Sequence, residues 1–323
     1  MQSIAELFNA MTSGDRQALA KAITLVESKL AEDHISRLRL LDLCHATPKE
    51  STRIAVTGAP GAGKSSLIEK LGLEMTGSSE AVAVLTIDPT SERTGGSILG
   101  DKTRMTDLSR QENAFIRPSP TSGVLGGVAE MTRETILLCE SAGYTRIIVE
   151  TVGVGQSETA VSHLVDVVLF VTIAGAGDSL QGIKRGILET ADLVAVNKCD
   201  GSGEAASKLF ASELSQALLL LRGQNACPAV VKTSALSGLG VSELLTHMDT
   251  LVHDRRANGQ FNSNRAEQRV KWFDDATAFL LEQHISSDNT LVQLRKELAD
   301  RIQGDQANPY AAANELVSRI LRD

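Results

Sequence analysis

The chain has 323 residues, 32 Lys and Arg against 40 Asp and Glu, a net charge of −8, and 42% hydrophobic residues. That is ordinary globular composition with enough length for a large core, and the acidic balance argues against nucleic acid or anionic membrane as a main partner. Cys44, Cys139, Cys199 and Cys227 form no CxxC pair and the six histidines are scattered, so spacing shows neither a disulfide framework nor a zinc or nickel cluster.

The opening residues Met1-Gln2-Ser3-Ile4-Ala5-Glu6 lack the basic start and apolar run of a secretory signal, and no apolar stretch is long enough to span a bilayer. A soluble, cytoplasmic protein is the expectation. Residues 3 to about 44 read as helical. Leu19, Ala22, Ile23, Val26 and Leu30 fall on one face at helical spacing, and the polar stretch 46–51 closes an N-terminal helical segment, 1–48.

From 49 to 255 short apolar runs alternate with helical patterns. The runs are Ile54-Ala55-Val56, 81–87, Ile147-Ile148-Val149, 165–173, 193–196 and Ala229-Val230-Val231. Such β-branched, non-alternating runs suit strands buried on both faces, hence an α/β fold with a mostly parallel central sheet flanked by helices. Ligand sites in such sheets form beyond the carboxyl ends of the strands.

Directly after the first run stands Gly58-Ala59-Pro60-Gly61-Ala62-Gly63-Lys64-Ser65, which fits GxxxxGK[ST] and marks a P-loop NTPase. Its glycines let several backbone N–H groups converge on one phosphate. The following helix adds its positive end, with Ser66 next in its first turn. Lys64 supplies a point charge to the β- and γ-phosphates, and the Ser65 hydroxyl is suited to magnesium. Asp88, after the run 81–87, and Asp101, in a glycine-rich stretch, each have two readings. One is a helix cap or solvated loop carboxylate, the other a magnesium- or water-positioning group in a switch.

Glu150-Thr151-Val152-Gly153 ends the next run, where P-loop GTPases carry DxxG: the acid holds magnesium and the Gly153 N–H senses the γ-phosphate. Here the acid is Glu150. Val154 occupies the place of the water-orienting glutamine of many GTPases, and Gln156 lies two positions on. Slow intrinsic hydrolysis, accelerated by a partner or a rearranged loop, is expected. Asn197-Lys198-Cys199-Asp200 then follows the run 193–196. A carboxylate placed like Asp200 accepts from both the ring N–H and the 2-amino group of guanine, and facing adenine it would stay unpaired. Asn197 is suited to the other edge of the base, and the Lys198 stem to its face. Thr233-Ser234-Ala235-Leu236 resembles the SAL/SAK loop that holds the guanine carbonyl; Ser234, Ala235 and Leu236 therefore join the set.

From 256 onward the pattern is helical again. Val270, Phe273, Leu280 and Leu281 mark one apolar stripe, and Ala313, Leu316, Val317, Ile320 and Leu321 another, while Asn308-Pro309 is a good start for the last helix. Both stripes are read as core or subunit contact.

Taken together, residues 58–65, Asp88-Pro89-Thr90-Ser91, 94–105, 150–158, 178–186 and 197–200 resemble the MeaB/ArgK-like GTPases, including the methylmalonic aciduria type A protein. That family lies within the cofactor- and metal-insertion branch of the SIMIBI GTPases, and the resemblance covers nearly the whole chain. It implies a homodimeric GTPase chaperone that gates adenosylcobalamin delivery to an acyl-CoA mutase, chiefly methylmalonyl-CoA mutase, and protects or reactivates it. It implies magnesium near Ser65, Asp88, Asp101 and Glu150, and partner coupling through Gln156, Gln181 and Lys184. It also makes the segment 256–323 a dimerisation arm on a GTPase domain, 49–255. Departures are small: Glu92-Arg93 replaces a pair that relatives often make Pro-containing or smaller, and Cys199 fills the variable NKxD position. Ala59 stands where MinD- and ArsA-like relatives have an extra lysine. Two other functions compete: an ATP-dependent kinase of basic amino acid transport, opposed by Asp200, and a metal-insertion GTPase, opposed by the scattered histidines and cysteines.

Overall fold

The computed structural model describes residues 3–28, 30–47, 50–88, 105–120, 125–151, 161–175 and 185–321. Two compact units divide the chain, Met1–Arg269 and Val270–Asp323.

The first unit is built on a seven-stranded sheet: β1 (Thr52–Thr57), β2 (Val82–Asp88), β3 (Ala114–Pro120), β4 (Arg146–Thr151), β5 (Val167–Ile173), β6 (Leu193–Asn197) and β7 (Ala229–Lys232). Their order is β3-β2-β4-β1-β5-β6-β7, and every pairing is parallel. Six of the strands coincide with the apolar runs. β3 does not, because Arg117 and Pro118 break its apolar pattern; it is an edge strand, where a proline is tolerated.

Alternation along each strand sends side chains to opposite faces. Ala55, Ala83, Leu85, Ile147, Val149 and Val168 face a core shared with α1 (Ile4–Thr12), α2 (Arg16–Glu27), α3 (His34–His45) and α6 (Leu125–Ser141). Ile54, Val56, Val82, Val84, Ile148, Leu169 and Val171 face the other, formed with α4 (Lys64–Gly77), α5 (Thr106–Ser109) and α9 (Val241–Ala257). A third cluster joins Phe170, Val194 and Val196 to α7 (Arg185–Thr190) and α8 (Glu204–Arg222). Each fully buried Leu or Ile in these layers contributes about 1.5–3 kcal/mol.

The N-terminal helices are thus one wall of the main core. Asp15 caps α2, accepting from the Gln17 and Ala18 N–H groups, and Leu19, Ala22, Ile23 and Val26 are buried as expected. Leu30 is not; it is 60% exposed, because α2 ends at Glu27 and Ser28 turns extended.

An ionic cluster closes the amino-terminal edge of the sheet. Arg265, in α10 (Gln260–Ser287), clasps Asp166 through Nε–Oδ1 at 2.6 Å and Nη2–Oδ2 at 2.7 Å. Its third nitrogen reaches Glu140 Oε1 at 3.1 Å. Arg53 makes two 2.8 Å bonds to the same Glu140. Burial alone would raise the Glu140 pKa; the bonds and charges of Arg53 and Arg265, with the Ser51 hydroxyl, outweigh it and hold the carboxyl below its ordinary value.

The second unit contains the end of α10, then α11 (Asn289–Gln303) and α12 (Pro309–Ile320). Asn308 caps α12 through the Tyr310 and Ala311 N–H groups, with Pro309 in the first turn. Of its apolar residues Ala312 is buried and Leu316 and Ile320 are half-buried, while Ala313, Val317 and Leu321 are exposed. No helix among the described residues is long and apolar enough to cross a membrane.

Candidate nucleotide-binding site

Every motif of the middle zone that the structure describes lies at the carboxyl edge of the sheet. The loop 58–63 follows β1, between β4 and β5. Gly58 has φ 149°, and a Cβ there would come within 2.0 Å of the Val171 carbonyl on β5. Gly63 has φ 87°, and a Cβ would meet Asn197 Nδ2 at 2.5 Å. Only glycine fits either place. Gly63 is also the N-cap of α4 and makes no side-chain capping bond, so the helix presents its positive end beside the loop. Ala62 is buried; Ala59, Pro60, Gly61 and Ser66 are exposed.

Lys64 is 8% exposed, and its ammonium donates to the Gly58 carbonyl at 2.9 Å and the Ala59 carbonyl at 3.2 Å. Those bonds hold the charge inside the curl of the loop. In the next position Ser65 donates its hydroxyl to Glu150 Oε1 at 2.8 Å. Glu150 reaches this place because its strand lies beside β1, with Val56 paired to Glu150. One hydroxyl and one carboxylate, converging next to the loop, form a hard oxygen pair of the kind magnesium prefers. Asp88 ends β2, the strand beyond β4; its side chain lies outside the described residues. So do Asp101, Gly153, Gln156, Gln181 and Lys184.

The second half of the site is a brace between loops. Asn197, 1% exposed at the end of β6, donates Nδ2–H to the Ala62 carbonyl at 2.9 Å. Its Oδ1 accepts from the Ala235 N–H at 3.1 Å and the Thr233 hydroxyl at 3.3 Å. Sequence reading assigned Asn197 to the base edge; the structure shows its amide bonded to the phosphate loop and to the loop after β7. Thr233 is the residue that reading missed. It is fully buried, its N–H donates to the Val196 carbonyl at 2.8 Å, and its carbonyl accepts from Cys199 N–H at 2.9 Å. Only its place before Ser234 hinted at this.

Around the brace, Lys198 is exposed at φ 59°, Asp200 is half-buried, and Leu236 is exposed. Ser234 is buried and accepts the Ser237 N–H at 3.2 Å. The carboxyl edge of the sheet therefore carries a cationic, N–H-rich loop at Lys64 and a carboxylate at Asp200, and Asn197 is bonded to the phosphate loop and to the loop after β7. Such a layout suits a nucleotide, phosphates at one end and base at the other.

Comparison with known proteins agrees. Residues 19–290 match the family model described as methylmalonyl-CoA mutase-associated GTPase MeaB. A probable GTPase of Mycobacterium tuberculosis is 44% identical over 316 residues, covering 96% of this chain and 93% of its own. The mitochondrial methylmalonic aciduria type A homolog of Mus musculus is 44% identical over 278 residues, covering 82% and 67% respectively. A crystal structure described as LAO/AO transport system kinase superposes with a TM-score of 0.75 at 32% identity, covering 98% of this chain and 97% of that one. The chain belongs to the MeaB family of GTPases.

Proposed function

We propose that the protein is a magnesium-dependent GTPase chaperone that gates adenosylcobalamin loading of an acyl-CoA mutase, most directly methylmalonyl-CoA mutase, and protects or reactivates it. The observation that carries the reading is the Ser65–Glu150 hydrogen bond beside a P-loop whose lysine is held inward, in a chain of this family. The mutase enters from the family description, which names methylmalonyl-CoA mutase.

In this reading the N–H groups of the loop 58–66 and the Lys64 ammonium hold the β- and γ-phosphates of GTP. Ser65 and Glu150, with Asp88 and Asp101, hold magnesium, which neutralises phosphate charge when bound. Asp200 accepts from the guanine ring N–H and 2-amino group, while Ser234, Ala235 and Leu236 border the guanine carbonyl. Gly153 reports the γ-phosphate, and Gln156, Gln181 and Lys184 carry the partner's signal. The division of labour follows 1–48 as helical segment, 49–255 as GTPase domain and 256–323 as dimerisation arm of a homodimer.

The test is transfer of adenosylcobalamin to apo-mutase in the presence of the protein with GTP, a non-hydrolysable GTP analogue, or GDP. Transfer that changes with nucleotide supports gating. Transfer identical in all three, and identical without the protein, contradicts it.

A further inference from the structure

Two threonine hydroxyls are buried where the sheet meets the phosphate loop, and the nucleotide reading gives them no task. Thr57 ends β1, one residue before Gly58, and is 0% exposed. Thr151 ends β4, one residue after Glu150, and is 2% exposed. Among the described residues neither Oγ1 atom has a hydrogen-bond partner. Buried hydroxyls are costly to leave so, and native proteins pair nearly all of them, with protein groups or with ordered water.

Strand register brings the two together. The β1–β4 ladder runs to the pair Val56–Glu150, and the next residue on each strand is one of the threonines. Ala55 lies beside Val149, so two residues further Thr57 lies beside Thr151, and both side chains share the face of Ala55 and Val149. Their other neighbours in that row are apolar, Phe170 beside Thr57 and Ile87 beside Thr151. Neighbouring strands lie about 4.8 Å apart. That is too far for a direct bond of about 2.8 Å between hydroxyls, and it is the span of one water bonded to both. Glu150 and Ser65 meet on the opposite face of the sheet, so two neutral hydroxyls are left to a neutral ligand.

We infer that Thr57 and Thr151 bind one buried water, which ties the end of β4 to the end of β1 and so keeps Glu150 within reach of Ser65. Each hydroxyl can donate or accept, so a single water satisfies both. The tie falls where β1 leaves its ladder to become the phosphate loop, the point at which the two strands are free to part. Both threonines are positioning residues, and that part of the inference rests on the proposed magnesium role of Glu150.

The experiment is a double-mutant cycle on the full chain: wild type, Thr57→Val, Thr151→Val and the double variant, each followed by urea unfolding and by GDP titration with and without magnesium. Valine keeps the shape and removes the hydroxyl. Each single variant leaves the water and the other threonine a bond short, so its unfolding constant should rise about tenfold. The second substitution then removes the last group that needs the water and should cost little or restore stability. Single variants that are more stable than wild type, or effects that simply add, overturn the shared water. The gain in GDP affinity on adding magnesium should shrink several-fold in both single variants; a gain equal to wild type in both overturns the positioning role. A wild type that gains nothing from magnesium refutes the Glu150 reading instead, and the unfolding cycle still decides the water. A crystal structure fine enough to show waters gives an independent answer should a variant fail to fold. Density bonded to both Oγ1 atoms is expected, and either hydroxyl bonded to another protein group overturns the inference.

Discussion

Asp200 and Glu150 each place one carboxylate where a different chemistry is expected of it. Asp200→Asn exchanges an acceptor for a donor, which suits the 2-carbonyl of xanthine. GDP affinity should fall at least about tenfold while XDP affinity rises, read by titration of both nucleotides; unchanged guanine preference would contradict the assignment. Glu150→Gln keeps the shape of the group beside Ser65 and removes its charge. The gain in GDP affinity on adding magnesium should shrink about tenfold or more in this variant, and a magnesium dependence equal to wild type would remove Glu150 from the metal site. Asn197 acts differently, since its amide is bonded to Ala62 and Ala235. Asn197→Ala should weaken GDP and IDP together and leave their ratio near wild type, because it loosens both loops rather than one contact.

At the scale of elements, the strands with β-branched runs were legible from sequence because burial on both faces keeps their middle residues apolar. The edge strand β3 was not, since Arg117 and Pro118 interrupt its pattern and only pairing with β2 makes it a strand. The stripe of α2 was legible as far as Val26, and its end was not. Nothing in Leu30 says that Ser28 leaves the helix; the turn is made by the Ser28 hydroxyl bonding to Asp33. The phosphate loop announced itself because Gly58 and Gly63 are required by close backbone and side-chain approaches. The brace through Thr233 was silent, as a buried threonine after a strand has no motif of its own. Equally silent was the ionic cluster under the sheet, whose members are far apart in sequence. Arg265→Met would leave the Asp166 carboxylate, 2% exposed, without its main partner. A loss of about 3–5 kcal/mol in urea unfolding is expected; a loss under about 1 kcal/mol would show that the cluster does not hold α10. Glu140 gives this cluster a pH signature. Its folded pKa lies below the ordinary 4.5, so its stabilisation is present above that value and disappears as pH falls through the folded pKa. Unfolding midpoints of Glu140→Gln should therefore fall less steeply than wild type below about pH 4.5.

For the whole molecule, the second unit leaves Val270, Phe273, Leu280, Leu281 and Tyr310 exposed in the single chain, with Phe273 at 70%. In the proposed homodimer these side chains are the contact. Phe273→Asp together with Leu281→Asp should then halve the mass seen by light scattering, and a wild type already monomeric at micromolar concentration would contradict the dimer. Nucleotide choice and client are both read by phosphate release from GTP, with ATP as control, alone and with methylmalonyl-CoA mutase. Slow release from GTP alone, a clear rise when the mutase is added, and no turnover of ATP are expected. Release from ATP as fast as from GTP, or GTP turnover indifferent to the mutase, would contradict the proposed function: the first would refute the base assignment at Asp200, the second the proposed client.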